Sequence, residues 1–238
     1  MRFHFRPLPA LTIACAIAFA AALSLGVWQL ERLQWKLGLI AQVRHNMAAA
    51  PVSVDEAIAL GPAAQYRRVA ADGTFDNAKE AYAFGTDAAG APVYHVIVPF
   101  KLSDGRVFLV DRGTVPKERL DPATRRAGQL QDVRHIVGVW RTPDAPGAFT
   151  PRPDRAHRIW YARDMAGIAK ADGVTLAAPE IVEADATPNP GGWPKGGATV
   201  VAFRNEHLSY AITWFGLAAV LAGVYIAYHV SRGRLGFK

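Results

Sequence analysis

Residues 208–228 read LSYAITWFGLAAVLAGVYIAY, 21 positions without an acid or a base, entered through Arg204-Asn205-Glu206-His207. At about 1.5 Å per helical residue the stretch reaches roughly 31 Å, enough to cross a hydrocarbon core of about 30 Å. A histidine thus stands at the edge of a membrane span, followed by Tyr210 and Trp214.

The other end of the chain carries a counterpart. Pro7 to Leu30 holds no charged residue, with Arg2 and Arg6 before it and Glu31, Arg32 and Lys36 after it. Ala18-Phe19-Ala20 resembles the cleavage site of a secretory leader, yet the apolar run continues ten residues beyond it. A leader's apolar region covers only about 7–15 residues in all. The reading is therefore two retained spans: a tail over 1–7, a helix over 8–30, a domain over 31–207, a second helix over 208–228 and a tail over 229–238.

Charge orients this arrangement. The tails contain Arg2, Arg6, Arg232, Arg234 and Lys238 and no acid, five of the net +7 charges, leaving 22 basic against 20 acidic residues between them. The positive-inside rule then predicts both termini in the cytoplasm and the middle of the chain outside it. The surplus of base reflects topology, and no long Lys/Arg run interleaved with aromatics marks a nucleic-acid partner. Cys15, the only cysteine, lies inside the first apolar run, which excludes a disulfide, a c-type haem attachment and paired-thiolate metal sites.

Between the spans the pattern is mainly that of short strands. Ser53 is placed to cap a helix over Val54 to Leu60, and residues 37–50 can prolong the first span as a polar helix. Strands are predicted at 66–75, 80–85, 93–102, 106–112, 132–141, 159–162, 179–184 and 198–203, with a short helix over 163–171. The fold class is thus α+β: an antiparallel two-helix transmembrane hairpin flanking a mostly antiparallel β domain. The stretch 187–197, TPNPGGWPKGG, is expected to be non-helical, exposed and mobile. Asp111-Arg112-Gly113 ends a strand at a turn, and fits either a local ion pair with a turn glycine or a catalytic role.

No catalytic constellation stands out: there is no Gly-x-Ser-x-Gly, no phosphate-cradling glycine loop and no His-Glu-x-x-His. His95, within an apolar strand, reads as a satisfied core histidine; His45, His135 and His157 read as solvated. His207 differs by position. At about 100° per residue, His207, Ala211, Trp214, Ala218, Ala222 and Tyr225 share one helix face. An imidazole at the membrane margin beside small residues suits axial coordination of haem iron, and a solvated histidine beside Glu206 fits the same residues. Ala14, Ala18, Ala22 and Gly26, with Ala219, Gly223 and Ala227, form small-residue stripes along which the two spans are expected to pack. Trp28, Arg32 and Lys36 recur every fourth residue as a cationic and aromatic ridge at the outer interface.

The same residues carry a resemblance. Leu25-Gly26-Val27-Trp28-Gln29 with Arg32 and Trp35-Lys36, Tyr94-His95-Val96-Ile97-Val98-Pro99, Val110-Asp111-Arg112-Gly113-Thr114-Val115-Pro116 and residues 205–215, NEHLSYAITWF, follow one another in this order. The chain resembles the surfeit-locus family of cytochrome c oxidase assembly proteins, in which two spans flank an extracytoplasmic domain. Thr114 departs from the family's usual aromatic after Arg-Gly. The resemblance implies a non-enzymatic assembly factor that binds haem a and aids its insertion into the oxidase catalytic subunit. His207 is then the iron ligand, with Trp214 and Arg32 as further cofactor-binding residues. It also implies a haem a synthase as a further partner. A cofactor-free scaffold for the catalytic subunit is the alternative function. A start that passes straight into a span, without an Arg-rich presequence, points to a bacterial inner membrane.

Overall fold

The structure, a computed structural model, describes residues 2–87, 89–143, 146–199 and 203–237. In chain order its elements are β1 (Phe3–Phe5), α1 (Pro9–Ala48), α2 (Val54–Leu60), β2 (Arg68–Phe75), β3 (Ala81–Thr86), β4 (Pro92–Leu102), β5 (Val107–Val115), β6 (Arg134–Arg141), β7 (Ile159–Trp160), α3 (Met165–Asp172), β8 (Ile181–Ala184), α4 (His207–Ser231) and β9 (Leu235–Phe237). The chain divides into two compact units, Met1–Gln42 with Ala202–Lys238 and Val43–Val201.

In the first unit α1 and α4 are both long and apolar enough to cross a membrane. They meet along Ala22, Gly26 and Gln29 of α1 and Ala211 and Ala218 of α4, all buried. A Cβ on Gly26 would lie 2.7 Å from the Phe215 ring, so glycine is what lets the two come this close. Further along, the hydroxyls of Thr12 and Tyr225 are 2.7 Å apart. The small-residue stripes need correction here. Ala14 and Ala18 are exposed, as are Ala219, Gly223 and Ala227. Each four-residue step overshoots a full turn by about 40°, so an unbroken i+4 stripe leaves the seam after a step or two. Alternating steps of four and three drift by only about 20° per seven residues and stay on it. Ala22-Gly26-Gln29 and Ala218-Ala222-Tyr225 follow that alternation. The tails are also ordered: β1 and β9 pair antiparallel, Phe3 opposite Phe237.

The second unit begins within the last turns of α1, where the buried Asn46 donates to the carbonyls of Ala63 and Gln65 at 3.2 and 2.9 Å. Ser53 caps α2 as anticipated, its hydroxyl accepting from the Glu56 amide at 3.1 Å. Seven strands follow in the order β2-β6-β8-β5-β4-β3-β7. Gly73–Phe75 of β2 also pairs with Phe100–Leu102 of β4, which closes five of the strands into a ring. Pairing is antiparallel except for β5 with β8 and β3 with β7. Alternation along β5 separates two faces: Phe108 and Val110 enter a core with Val69, Phe100, Trp140 and Val182, while Leu109 enters one with Ile97, Trp160, Ile168 and Ile181.

Three expectations in this unit change. Of the strand expected over 198–203, residues 198 and 199 are irregular and 200–202 lie outside the described residues. The 187–197 stretch is held down: Pro190–Gly192 make a 3-10 turn, Lys195 bridges to Thr114, and Trp193 packs half-buried against the cluster of Tyr82, Val96, Val98 and Val115. Asp111-Arg112-Gly113 lies within β5, not at a strand-ending turn. Between the His95–Thr114 and Ile97–Asp111 pairs, β4 spends one residue and β5 spends two, which makes a bulge at Arg112-Gly113. Asp111 and Arg112, adjacent in a strand, point to opposite faces, Asp111 to His95 and Arg112 to Asn77, Gly128 and Asn189, so no local ion pair forms.

Gly113 is the position that makes this possible. Its φ is 112°, and a Cβ there would run into the Lys195 carbonyl. Gly113→Ala should therefore cost about 1–3 kcal/mol from backbone strain alone, more with the clash. It should lower the thermal midpoint of the purified protein, and an unchanged midpoint would show that the 187–197 stretch yields freely.

Candidate functional site

His207 opens α4, and its half-buried ring meets Gln29 of α1: Nδ1 lies 2.7 Å from Gln29 Oε1. An amide oxygen can only accept, so in this bond Nδ1 is the donor and Nε2 is the ring nitrogen that Gln29 leaves unengaged. Among the described residues no hydrogen-bond partner faces Nε2. A nitrogen tethered in this way fixes the orientation of the ring, as the outer hydrogen bond of a metal-bound histidine also does. On the same helix face the next turn carries Ala211, buried in the seam with α1, and the one after carries the half-buried Trp214. Because Ala211 and Ala218 are already packed at the seam, a ligand on Nε2 must lie beside the helix pair rather than between its small residues.

Of the residues singled out from sequence, Trp214 shares the His207 face two turns along. Arg32 is exposed, with its guanidinium 4.3 Å over the Trp35 ring and no carboxylate on it among the described residues. Arg204, by contrast, is held by Glu206 at 3.1 Å. Gln29 carries no role in the sequence reading, although one signal was present. It is a polar side chain closing an apolar run, seven residues after Ala22 and so on the same helix face.

In the helical unit, His4 Nε2 lies 3.2 Å from the Gly233 carbonyl, and the buried His229 near the far end of α4 holds Nδ1 2.9 Å from the Tyr225 carbonyl. The four remaining histidines are in the β domain. His95 is buried, with Nδ1 donating to Asp111 Oδ2 at 2.7 Å and Arg163 Nη2 3.4 Å from Nε2. Arg163 in turn pairs with Glu183, so this cluster closes on itself and reads as a satisfied core network. His135 and His157 are exposed beside Asp72 and Asp154, and His45 is exposed. Among the described residues no group of three or more His, Cys, Asp and Glu side chains is placed to hold a metal ion. A single imidazole nitrogen is what the site offers.

Buried charge in the β domain lies elsewhere. Glu80 accepts from Arg125 Nη1 at 2.9 Å and from Gln129 at 2.8 Å, and the Tyr82 hydroxyl donates to it at 3.2 Å. Burial opposes the charge on Arg125, but the Glu80 bonds and charge outweigh it and hold the guanidinium above its ordinary value. Burial, and then the Glu80 charge, push the Tyr82 phenol up.

Comparison with known proteins is concordant along nearly the whole chain. A family model described as "SURF1 family" matches residues 16–219. A mouse protein named Surfeit locus protein 1 is 35% identical over 230 residues, covering 90% of this chain and 74% of its own. The Takifugu rubripes protein of that name is 34% identical over 229 residues, covering 90% and 94% respectively. A Drosophila melanogaster SURF1-like protein is 32% identical over 231 residues.

Proposed function

Because the chain belongs to the SURF1 family, we propose that it is an assembly factor for haem-copper cytochrome c oxidase that binds haem a on His207 and aids its insertion into the catalytic subunit. It does so as an antiparallel transmembrane hairpin of α1 and α4 in a bacterial inner membrane, with both termini cytoplasmic and the β domain periplasmic. The pairing of rising numbers on one helix with falling numbers on the other, Thr12 with Tyr225 and Gln29 with His207, supports the hairpin. A haem a synthase is a further partner in this scheme.

One observation carries the reading: the 2.7 Å bond from His207 Nδ1 to Gln29 Oε1, which leaves Nε2 available. The cofactor, when bound, would supply an iron able to accept an imidazole nitrogen, a flat ring and propionate charges. The chain's own residues do the rest. Gln29 orients the imidazole, Trp214 offers a ring face beside the helix pair, and Arg32 supplies an exposed cation for a propionate. One axial bond at a helix edge suits a carrier, which must release what it holds. The test is a reduced-minus-oxidised spectrum of protein purified from cells that make haem a. Absence of a haem signal in protein that still copurifies with the catalytic subunit would support a cofactor-free scaffold instead.

Arg32→Ala should lower the haem a retained through purification several-fold, since a propionate contact at this exposure contributes about 0.5–1 kcal/mol. Haem content equal to that of the unaltered protein would reject the assignment of Arg32.

A further inference from the structure

Arg112 is 1% exposed, and every acceptor it meets is neutral. Its Nη2 donates to the Gly128 carbonyl at 2.8 Å and Asn189 Oδ1 at 3.1 Å, its Nη1 to Asn77 Oδ1 at 3.3 Å, and the Phe75 ring lies 4.5 Å from its Cζ. The acid whose charge reaches it is Glu80, which is already held by Arg125. Two buried guanidinium groups thus share one carboxylate, and a buried charge left without a counter-ion is costly. Burial pushes Arg112 down to about 10, still a cation at neutral pH.

This uncompensated charge forms part of the wall of a 340 Å³ pocket, whose other walls include Phe75, Leu130, Arg134, Ile136 and Thr187. Arg134 and His135 add base at the rim, each beside its own aspartate: Asp132 at 2.8 Å and Asp72 at 3.0 Å. Asp185 also lines the pocket, its carboxylate accepting from the Thr187 amide at 3.0 Å. We propose that this pocket binds a carboxylate, with Arg112 as its counter-charge and the apolar walls holding the stem that bears it. One unneutralised positive charge matches one negative charge. A phosphate dianion would leave excess charge next to Asp185, so a monoanion is preferred. The carboxylate comes either from a small organic acid or from the C-terminus of a partner polypeptide; the chemistry recognised is the same.

The test is calorimetric titration of the full-length protein in detergent at low salt, with sodium propionate, inorganic phosphate and a pair of peptides that differ only in a free or amidated C-terminus. Saturable one-to-one propionate binding is expected, with phosphate weaker by about tenfold or more, the difference made by one charged hydrogen bond. Arg112→Lys should reduce propionate binding by about tenfold, because the ammonium cannot reproduce the three bonds that fix the positive charge at the pocket wall. Arg112 also ties three loops together, so Thr187→Trp, an exposed position at the mouth, serves as the second variant. It should block binding with the thermal midpoint unchanged. A free-acid peptide binding about tenfold tighter than propionate, with its amide silent, identifies a polypeptide partner; equal affinities identify a small acid. Absence of saturable propionate binding to the unaltered protein, or undiminished binding by Thr187→Trp, would overturn the proposal.

Discussion

His207→Ala is expected to remove haem a from the purified protein altogether, leaving no axial nitrogen at the start of α4. The size of the effect follows from the site's simplicity. Among the described residues no other imidazole nitrogen with a free lone pair is placed beside it, so nothing replaces the lost bond. Gln29→Leu provides the graded companion. It keeps the ligand but releases Nδ1, and losing such a supporting hydrogen bond typically lowers affinity by about 10- to 100-fold. Titrating haem into the apoprotein and following the Soret band measures both. If His207→Ala retains haem with an unaltered spectrum, the axial role fails. If Gln29→Leu binds as the unaltered protein does, the tether is structural only.

The largest effect on stability is expected from Arg125→Met. It strands Glu80, a carboxylate 4% exposed, with only Gln129 and the Tyr82 hydroxyl. Breaking one side of a buried ion pair costs about 3–5 kcal/mol, a drop of about 10 °C in the unfolding midpoint for a unit of this size. The double replacement Glu80→Leu with Arg125→Met should recover most of that loss, because no charge is then left buried. A single-variant loss below about 1 kcal/mol would mean that water reaches Glu80 and solvates it. Both residues belong to the Val43–Val201 unit and His207 to the other, so haem retention by surviving folded protein should be unchanged.

How far the chain can be read without coordinates depends on the reach of the signal. Leu208 to Tyr228 announces a helix because 21 uncharged, mostly apolar residues permit little else, and β4 and β5 announce themselves by strong apolar runs between good turns. Ser53 as a helix cap is legible for the same reason: cap and helix are neighbours in the chain. The i+4 stripes misled because they describe one helix, whereas a seam is a property of two. Ala14 and Ala219 look as suitable as Ala22 and Ala218 until a partner's curvature is known. The 187–197 stretch misled differently. Its composition specifies an absence of regular structure, and composition does not say whether irregular backbone is anchored, as Lys195 anchors it to Thr114.

For the site, the histidine at the membrane margin was visible from sequence because its position within the span is itself the signal. Its tether was not, since Gln29 and His207 are 178 positions apart and meet only when two helices pack. The same holds for Arg112 and Arg125: in the sequence they are two arginines near glycine- and proline-rich loops. Composition and periodicity determined that this chain has two membrane-length helices around a β domain, because hydrophobic length and alternation act locally. Which charges are neutralised, and which nitrogen is left with a free lone pair, was decided by tertiary structure alone, because a counter-ion or a hydrogen-bond partner is defined by distance in space.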